Sequence, residues 1–288
     1  MKKLLFQLDT DAIANAFDTI AGYDGGADHV IRVAGMTPAN VARIVEGTIF
    51  TRPPSSKKYT ALFVTGSDIG EGQALFDAVK KCFFGKFRVS MMLDSNGANT
   101  TAASAVAYVE KHGKPAGKRA VILAGTGPVG QRAAVLLAKL GASVLVTSRK
   151  RERAAAACAA MAERFGVALE AGAASDAASA AACLEGAHIV LSTGAAGVQL
   201  LAEDQWASHP TLELVMDANA TPPLGIAGLE MSDRGVERHG KICYGALGFG
   251  GLKLELHRAC IARLFETNER LLDAPEVFAL AREMLATR

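Results

Sequence analysis

The segment from Ala120 to Gly141 constrains the fold more than any other part of the chain. An apolar run at 120–124 predicts a short strand that is buried on both faces. A G-x-G-x-x-G pattern follows, and apolar residues then recur at helical spacing until Gly141, which is typical of a helix end. Strand, glycine turn and helix in this order predict a parallel sheet that holds a dinucleotide pyrophosphate at a helix N-terminus. The residues predicted to bind it are Gly125, Thr126, Gly127, Pro128, Val129 and Gly130.

The end of the next predicted strand, Ser143–Thr147, indicates which dinucleotide is bound. NAD sites usually carry an acidic residue here, which accepts hydrogen bonds from the ribose hydroxyls. This chain instead has Ser148, Arg149 and Lys150, and a hydroxyl beside a guanidinium suits a ribose 2′-phosphate. The cofactor is therefore predicted to be NADP. The alternative is a basic helix start that is merely solvated, although cations are mildly unfavourable at a helix N-terminus.

Two further strand ends lie on the same predicted edge of this sheet. Thr193, Gly194 and Ala195 follow a strand at 188–192, where the nicotinamide and its ribose lie in such domains. Asn219 follows a strand at 212–216. Both segments are predicted to contact the cofactor, and the alternative for both is an ordinary turn at a strand end.

Length and the alternation of strands and helices predict two α/β domains in this chain of 288 residues. The polar connection at 112–117 separates a first domain, 1–112, from a Rossmann-type domain, 113–272. A last helix, 273–288, could pack back on the first domain. Weaker patterns predict a helix from Thr37 to Glu46, a strand near Val167 and a helix at 252–265.

Composition excludes several classes of protein. A net charge of +2 argues against a nucleic-acid-binding or polybasic membrane role. No run approaches the roughly 18 apolar residues that span a bilayer, and Gln7 and Asp9 interrupt the N-terminal apolar run. The five cysteines are scattered and indicate reduced thiols in a cytoplasmic protein. The protein is also expected to be a homo-oligomer. The dispersed histidines predict no metal site.

Two polar segments of the first domain are candidates for substrate binding. Their candidate residues are Gly22, Tyr23, Asp24, Asp28 and His29 in one segment, and Asp94, Asn96, Asn99, Thr100 and Thr101 in the other. Carboxylates in the first segment suit a ligand edge rich in N–H donors, such as a pterin ring, and an ordinary turn is the alternative. The second segment carries more polar side chains than one helix cap needs.

A glycine-rich stretch, 245–251, precedes two more candidates. Lys253 and His257 are one helical turn apart and could face the same cleft. The stretch is not a phosphate-binding P-loop, because Leu254 follows the lysine and the glycine spacing differs. The alternatives are a solvated lysine tip and a histidine that serves packing.

The chain resembles the bacterial NADP-dependent methylenetetrahydromethanopterin dehydrogenases of one-carbon metabolism. The matching stretches are LLFQLDTDA, GYDGGADH, LDSNGANTTAA, VILAGTGPVG, TSRK, NATPPLGIAG and GALGFGGLKLELHRACIA. More distantly it is similar to the bifunctional methylenetetrahydrofolate dehydrogenase/cyclohydrolases, which implies an interdomain cleft. The resemblance implies hydride transfer from the methylene group of a tetrahydropterin carrier to NADP, which yields the methenyl form. Tetrahydromethanopterin, and in some members tetrahydrofolate, is the implied partner.

This chemistry needs alignment of donor and acceptor more than acid–base catalysis. Lys253 is the first candidate for a polar group at the reacting centre, with Asp24 as its expected partner and His257 as a second candidate on the same helix. Two other functions stay open: a different NADP-linked dehydrogenase of the shikimate dehydrogenase type, and a non-catalytic NADP sensor.

Overall fold

The computed structural model describes residues 1–287, which form twelve strands and ten α-helices. The strands are β1 (Leu4–Asp9), β2 (His29–Val33), β3 (Thr60–Thr65), β4 (Ser90–Leu93), β5 (Arg119–Leu123), β6 (Ser143–Ser148), β7 (Glu170–Ala173), β8 (Ile189–Ser192), β9 (Leu214–Asp217), β10 (Arg234–Arg238), β11 (Lys241–Tyr244) and β12 (Leu271–Leu272). The helices are α1 (Ala16–Asp24), α2 (Ala42–Phe50), α3 (Ile69–Lys81), α4 (Ala98–Gly113), α5 (Pro128–Lys139), α6 (Arg151–Phe165), α7 (Ala177–Ala182), α8 (Asp204–Ala207), α9 (Ala246–Leu264) and α10 (Ala274–Ala286).

The chain divides into two compact units. The first comprises residues 1–100 together with the chain from Leu254 onward, and the second comprises Thr101–Lys253. This division differs from the predicted domains, 1–112 and 113–272, in two places. It falls inside α4 and α9 and not in the polar connection after residue 112, and the chain after Lys253 returns to the first unit.

The first unit is built on a parallel sheet with the strand order β12-β4-β3-β1-β2. Every residue of β3 is buried, as an apolar strand covered by helices on both faces should be. On one face, Leu62 and Val64 of β3 pack with Leu75 and Phe76 of α3. Strand β12 comes from near the C-terminus and pairs with β4 through two residues.

The second unit contains a seven-stranded sheet with the order β10-β11-β9-β8-β5-β6-β7. All neighbours are parallel except β10 and β11. With β5 as the first strand, the order from β7 to β11 is the 3-2-1-4-5-6 order of the Rossmann fold. The predicted fold class, two α/β units with a Rossmann-type second sheet, is confirmed.

Three local predictions differ from the structure. Helix α2 begins at Ala42 instead of Thr37, because Asn40 closes a polar turn by accepting a hydrogen bond from the Thr37 backbone N–H at 2.8 Å. The third strand of the second sheet is β7 and not a segment near Val167. Helix α9 already begins at Ala246. Its first turn passes so close to the Asp233 carbonyl oxygen that a Cβ atom at position 248 would lie 1.7 Å from it, and glycine at this position avoids the clash.

Candidate functional site

The turn between β5 and α5 uses each glycine of its motif differently. A Cβ atom at Gly125 would lie 2.8 Å from the Ile122 side chain, so the turn is too tight for another residue. At Gly130 it would lie 2.6 Å from the Gly125 Cα atom and the Thr193 hydroxyl, so this glycine lets the helix approach the strand. A Cβ atom at Gly127 would have no other atom within 4 Å, so the backbone there is open to a ligand. This is the geometry that a pyrophosphate requires.

The remaining residues of the turn hold its shape. Pro128 is the first residue of α5 and has no N–H to satisfy. The Gln131 side-chain amide donates to the Thr126 carbonyl oxygen at 2.8 Å, and Val129 is half-buried. The Thr147 hydroxyl accepts from the Ala124 backbone N–H at 3.1 Å, which ties the turn to β6.

Cations cluster where β6 ends. Ser148 is buried at the strand end, and Arg149 and Lys150 are exposed in the connection to α6. Arg153, which the sequence analysis did not select, projects from the first turn of α6 and lines the same pocket as Arg149. Among residues 1–287 neither guanidinium has an ion pair or a hydrogen bond. Two guanidiniums beside a buried serine supply the charge and the hydrogen-bond donors that a phosphate group needs.

That pocket has a volume of about 390 Å³. It opens at the carboxyl ends of four parallel strands, which is where ligands bind in open α/β sheets. Its lining residues are Leu123, Ala124, Thr126, Ser148, Arg149, Arg153, Ala174, Ser175, Asp176, Ala177, Ala180, Gly194, Ala195, Val198, Gln199 and Leu200. The segment after β7, from Ala174 to Ala177, is a wall that the sequence analysis missed.

The segments after β8 and β9 differ in their exposure. Gly194 and Ala195 line the pocket, and the Thr193 hydroxyl beside them donates to the Leu123 carbonyl oxygen at 3.2 Å. Asn219 is buried and does not line the pocket. Its side chain donates to the Pro223 carbonyl oxygen at 3.3 Å and accepts from the Thr221 backbone N–H at 2.9 Å. Asn219 therefore shapes its loop, and any contribution to cofactor binding would be indirect.

A buried carboxylate supports this loop. Asp217 accepts hydrogen bonds from the backbone N–H groups of Asn219 and Ile226, both at 3.0 Å. Burial raises the pKa of the Asp217 carboxyl above its usual value, and these hydrogen bonds oppose that shift. The hydrogen bonds of this carboxylate thus stabilise the loop between β9 and β10.

In the first unit, a polar cluster lies at the carboxyl edge of the sheet. Asp94 follows β4, is fully buried, and accepts from the Thr100 hydroxyl at 2.6 Å. Asn99 is also buried and donates to the Leu93 carbonyl oxygen at 2.6 Å. Asn96 is the exposed residue of this group and adopts a left-handed backbone with φ of 54°. Thus Asp94, Asn99 and Thr100 hold the segment, and Asn96 presents a side chain to solvent.

The same edge carries a second polar group that the sequence analysis missed. Asp9, the last residue of β1, is fully buried and accepts from the Thr65 hydroxyl at 2.9 Å. It also accepts from the backbone N–H groups of Asp11 and Asn15 at 2.9 and 3.0 Å. A polar residue directly after an apolar run was the available signal. Thr101 is half-buried one residue after Thr100, where the chain enters the second unit.

The glycine-rich segment 22–29 lies at the opposite edge of this sheet. It precedes β2, and Asp28 accepts from the backbone N–H of Lys3, the residue before β1, at 2.7 Å. His29 contacts Lys2 through a 2.9 Å hydrogen bond. Because the strands are parallel, segment 22–29 and Asp94 lie at opposite edges. The structure therefore does not bring these two predicted substrate segments together within this unit.

Packing accounts for much of the same segment. A Cβ atom at Gly25 would lie 2.6 Å from the Ile261 side chain, so α1 and α9 pack closely there. Gly22 packs similarly against Val30, and Tyr23 is half exposed. The Asp24 carboxylate pairs with Arg258 at 3.0 Å. Its expected partner was Lys253, and Arg258 now accounts for its charge.

Helix α9 carries the last two candidates. His257 is buried, with its ring 5.3 Å from that of Phe63 and 6.0 Å from that of Phe17. Its Nδ1 atom lies 3.7 Å from the Asp94 carboxylate. These contacts make His257 a core residue that packs beside the Asp94 segment. Lys253 is half-buried four residues earlier on the helix.

Residues 1–287 contain no cluster of three or more His, Cys, Asp or Glu side chains that could hold a metal ion. In the described part of the chain, no helix is both long and apolar enough to cross a bilayer. All five cysteines are free thiols, and burial raises the pKa of each. None of these thiols is activated as a nucleophile or metal ligand.

Comparisons with known proteins agree with this geometry. Residues 16–96 match the family model described as methylene-tetrahydromethanopterin dehydrogenase, N-terminal. The chain is 53% identical to the bifunctional protein MdtA of Methylorubrum extorquens, over 98% of this chain and 99% of that protein. It is 31% identical to the NAD(P)-dependent methylenetetrahydromethanopterin dehydrogenase of the same organism, over 93% and 94%. Ligand-free 5-ketofructose reductase from a Gluconobacter species shares the fold, with a TM-score of 0.55, 16% identity and 99% of both chains covered.

Proposed function

Because this chain belongs to the methylenetetrahydromethanopterin dehydrogenase family, we propose that it oxidises the methylene group of a tetrahydropterin one-carbon carrier to the methenyl form. The hydride acceptor is NADP, whose nicotinamide supplies the redox chemistry when bound. The observation that carries the proposal is the pocket at the carboxyl ends of the second sheet, with the unpaired Arg149 and Arg153 on its wall.

The residues of the second unit fit NADP. The open backbone at Gly127 and the N-terminus of α5 would hold the pyrophosphate. Ser148, Arg149 and Arg153 would hold the 2′-phosphate, and no acidic residue stands at the end of β6 to favour the unphosphorylated ribose. Gly194 and Ala195 would line the path toward the nicotinamide.

The carrier is proposed to bind at the carboxyl edge of the first sheet. Asn96 is exposed there, and the buried carboxylates of Asp9 and Asp94 fix the surrounding backbone. Lys253 is proposed to position the polar part of the pterin near the reacting carbon. A charged ammonium opposes a cation that develops beside it, so Lys253 would act on the ring polar groups and not at the methylene carbon itself.

Hydride loss from the methylene carbon leaves a cation that the lone pairs of the two flanking nitrogens stabilise. The chain therefore has little proton transfer to perform. Its tasks are to align the two ligands and to exclude water, which would hydrolyse the methenyl product. Such a reaction does not need a general acid or base, which agrees with the structural role of most buried polar groups described above.

One experiment tests the proposal and identifies the carrier. Formation of the reduced nucleotide, NADPH or NADH, is followed spectrophotometrically with methylene-tetrahydromethanopterin and methylene-tetrahydrofolate, each with NADP and with NAD. We expect turnover with NADP and at least one of the two carriers, and the faster of the two identifies the preferred carrier. Turnover with shikimate in place of both carriers would support the other dehydrogenase class, and binding of NADP with no turnover would support a sensor.

Homo-oligomerisation and a cytoplasmic location remain predictions. Light scattering on the purified chain tests the first, and fractionation of the source cells tests the second.

A further inference from the structure

The pocket that Arg149 and Arg153 line also carries a carboxylate. Ser175 and Asp176 lie in the connection between β7 and α7, and both side chains line the pocket. Asp176 carries the single carboxylate among the described lining residues. A negative charge in a pocket that attracts a phosphate weakens phosphate binding. Besides capping α7, this carboxylate can therefore contact the ligand favourably only at a hydrogen-bond donor.

The adenosine end of NADP offers two kinds of donor. The ribose 3′-hydroxyl donates one hydrogen bond and the 6-amino group of adenine donates two, whereas the phosphates and ring nitrogens accept, and of the two donors only the 6-amino group differs between purine bases. Apolar side chains of Ala180, Val198 and Leu200 line the same pocket and can cover the faces of a planar base. A hydrogen-bond acceptor beside a bound base can read the edge of that base.

We propose that Asp176 selects adenine over other purines by accepting a hydrogen bond from its 6-amino group. This inference rests on the proposed function, because it takes NADP as the ligand of the pocket. In this proposal Asp176, in the segment after β7, selects the base, whereas Arg149 and Arg153 bind the 2′-phosphate.

The local structure prepares Asp176 for this role. One carboxylate oxygen accepts from the Ser179 backbone N–H at 2.8 Å, and the other accepts from the Ser175 hydroxyl at 3.2 Å. The second oxygen keeps a lone pair for a further donor. Hydrogen bonds from Ser179, and then from Ser175, hold the pKa of the Asp176 carboxyl below its usual value, so the group is an acceptor at neutral pH.

Hypoxanthine is the informative competitor. It carries a carbonyl oxygen in place of the 6-amino group, and this oxygen would face the Asp176 carboxylate as acceptor against acceptor. The chain should therefore bind NADP about tenfold more tightly than nicotinamide hypoxanthine dinucleotide phosphate, the fold-change expected for one charge-assisted hydrogen bond at an exposed site.

Isothermal titration calorimetry of the full chain with both dinucleotides tests this. Serine is a good helix N-cap, so Asp176→Ser preserves the start of α7 and removes the charge and the reach of the carboxylate. The ratio of the two dissociation constants should fall from about ten to about one. Asp176→Asn should also reduce the ratio, because an amide can accept from adenine or donate to hypoxanthine.

Asp68→Ser is the matched control, since Asp68 caps α3 in the first unit and should leave the ratio unchanged. Equal binding of the two dinucleotides by the unmodified chain, or an unchanged ratio in Asp176→Ser, overturns the inference while NADP binding itself stands. Failure of the unmodified chain to bind NADP refutes the proposed function and this inference with it.

Discussion

Removal of Arg153 is the most direct test of the anion site at the end of β6. A unit charge pair about 4 Å apart is worth about 1 kcal/mol in water. A phosphate monoester carries about 1.5 to 2 negative charges at neutral pH. Arg153 is exposed, so the value for water applies, and its loss should cost about 1.5–2 kcal/mol, or about 10- to 30-fold in the dissociation constant for NADP. The same reasoning applies to Arg149→Ala.

The assay is titration of NADP and NAD into the unmodified chain and Arg153→Ala at two salt concentrations. NAD binding should change little, because NAD lacks the 2′-phosphate, and the NADP effect should shrink with added salt. Arg151→Ala is the matched control from the same helical turn: its Nε atom donates to the Ala171 carbonyl oxygen, and it does not line the pocket. Equal weakening of NAD and NADP by Arg153→Ala, or an equal effect of Arg151→Ala, would refute this reasoning.

Three further substitutions separate catalysis from structure, and a fourth tests how a buried thiol affects stability at high pH. Lys253→Ala should lower turnover about 100-fold or more with NADP affinity unchanged in titrations, as expected for a positioned polar group; near-normal turnover would remove it from the reacting centre. His257→Ala should lower the free energy of unfolding in urea by about 2–4 kcal/mol, because it deletes a buried ring, and lost turnover at unchanged stability would contradict its core position. Asp24→Asn breaks an exposed ion pair with Arg258 and should cost less than about 1 kcal/mol with turnover retained, whereas a selective loss of pterin use would restore its sequence-based role. Burial raises the pKa of the Cys243 thiol from 9.0 to about 11, so its contribution to the free energy of unfolding should be intact below pH 9 and lost as the pH rises toward 11. Cys243→Ala should make the free energy of unfolding less dependent on pH in this range, and an identical slope would falsify the raised pKa of this thiol.

Local signals were sufficient for the dinucleotide half of the fold. The strand, the glycine turn and helix α5 follow one another without a gap, so their residues specify both the structure and its position. Arg153 was also within reach of the sequence, because it lies in the first turn of the helix that follows Arg149 and Lys150. Ser175 and Asp176 were not, since the strand before them has the sequence EAGA, whose weak strand propensity gives no signal without its pairing to β6.

The first unit shows where spacing alone misleads. The segment 22–29 looks like a ligand loop because it combines glycine and carboxylate residues. Its position before β2 already places it at the amino edge of a parallel sheet, so topology was a better guide than composition. Close packing at Gly25 and Gly248 depends on residues far away in the sequence, at Ile261 and Asp233, and no local pattern reveals such contacts.

Strand β12 has a consequence for how the chain acquires its structure on the ribosome. Leu271 and Leu272 pair with Met91 and Met92 of β4, and the Arg270 carbonyl oxygen just before β12 accepts from the Met91 N–H at 2.8 Å. Helix α10 and most of α9 belong to the same late part of the chain. A nascent chain that has exposed only its first 100 residues therefore emerges with β4 as an open sheet edge. The second unit, continuous from Thr101 to Lys253, can fold as soon as it is synthesised, whereas the unit that is translated first must wait for the segment that begins at Leu254.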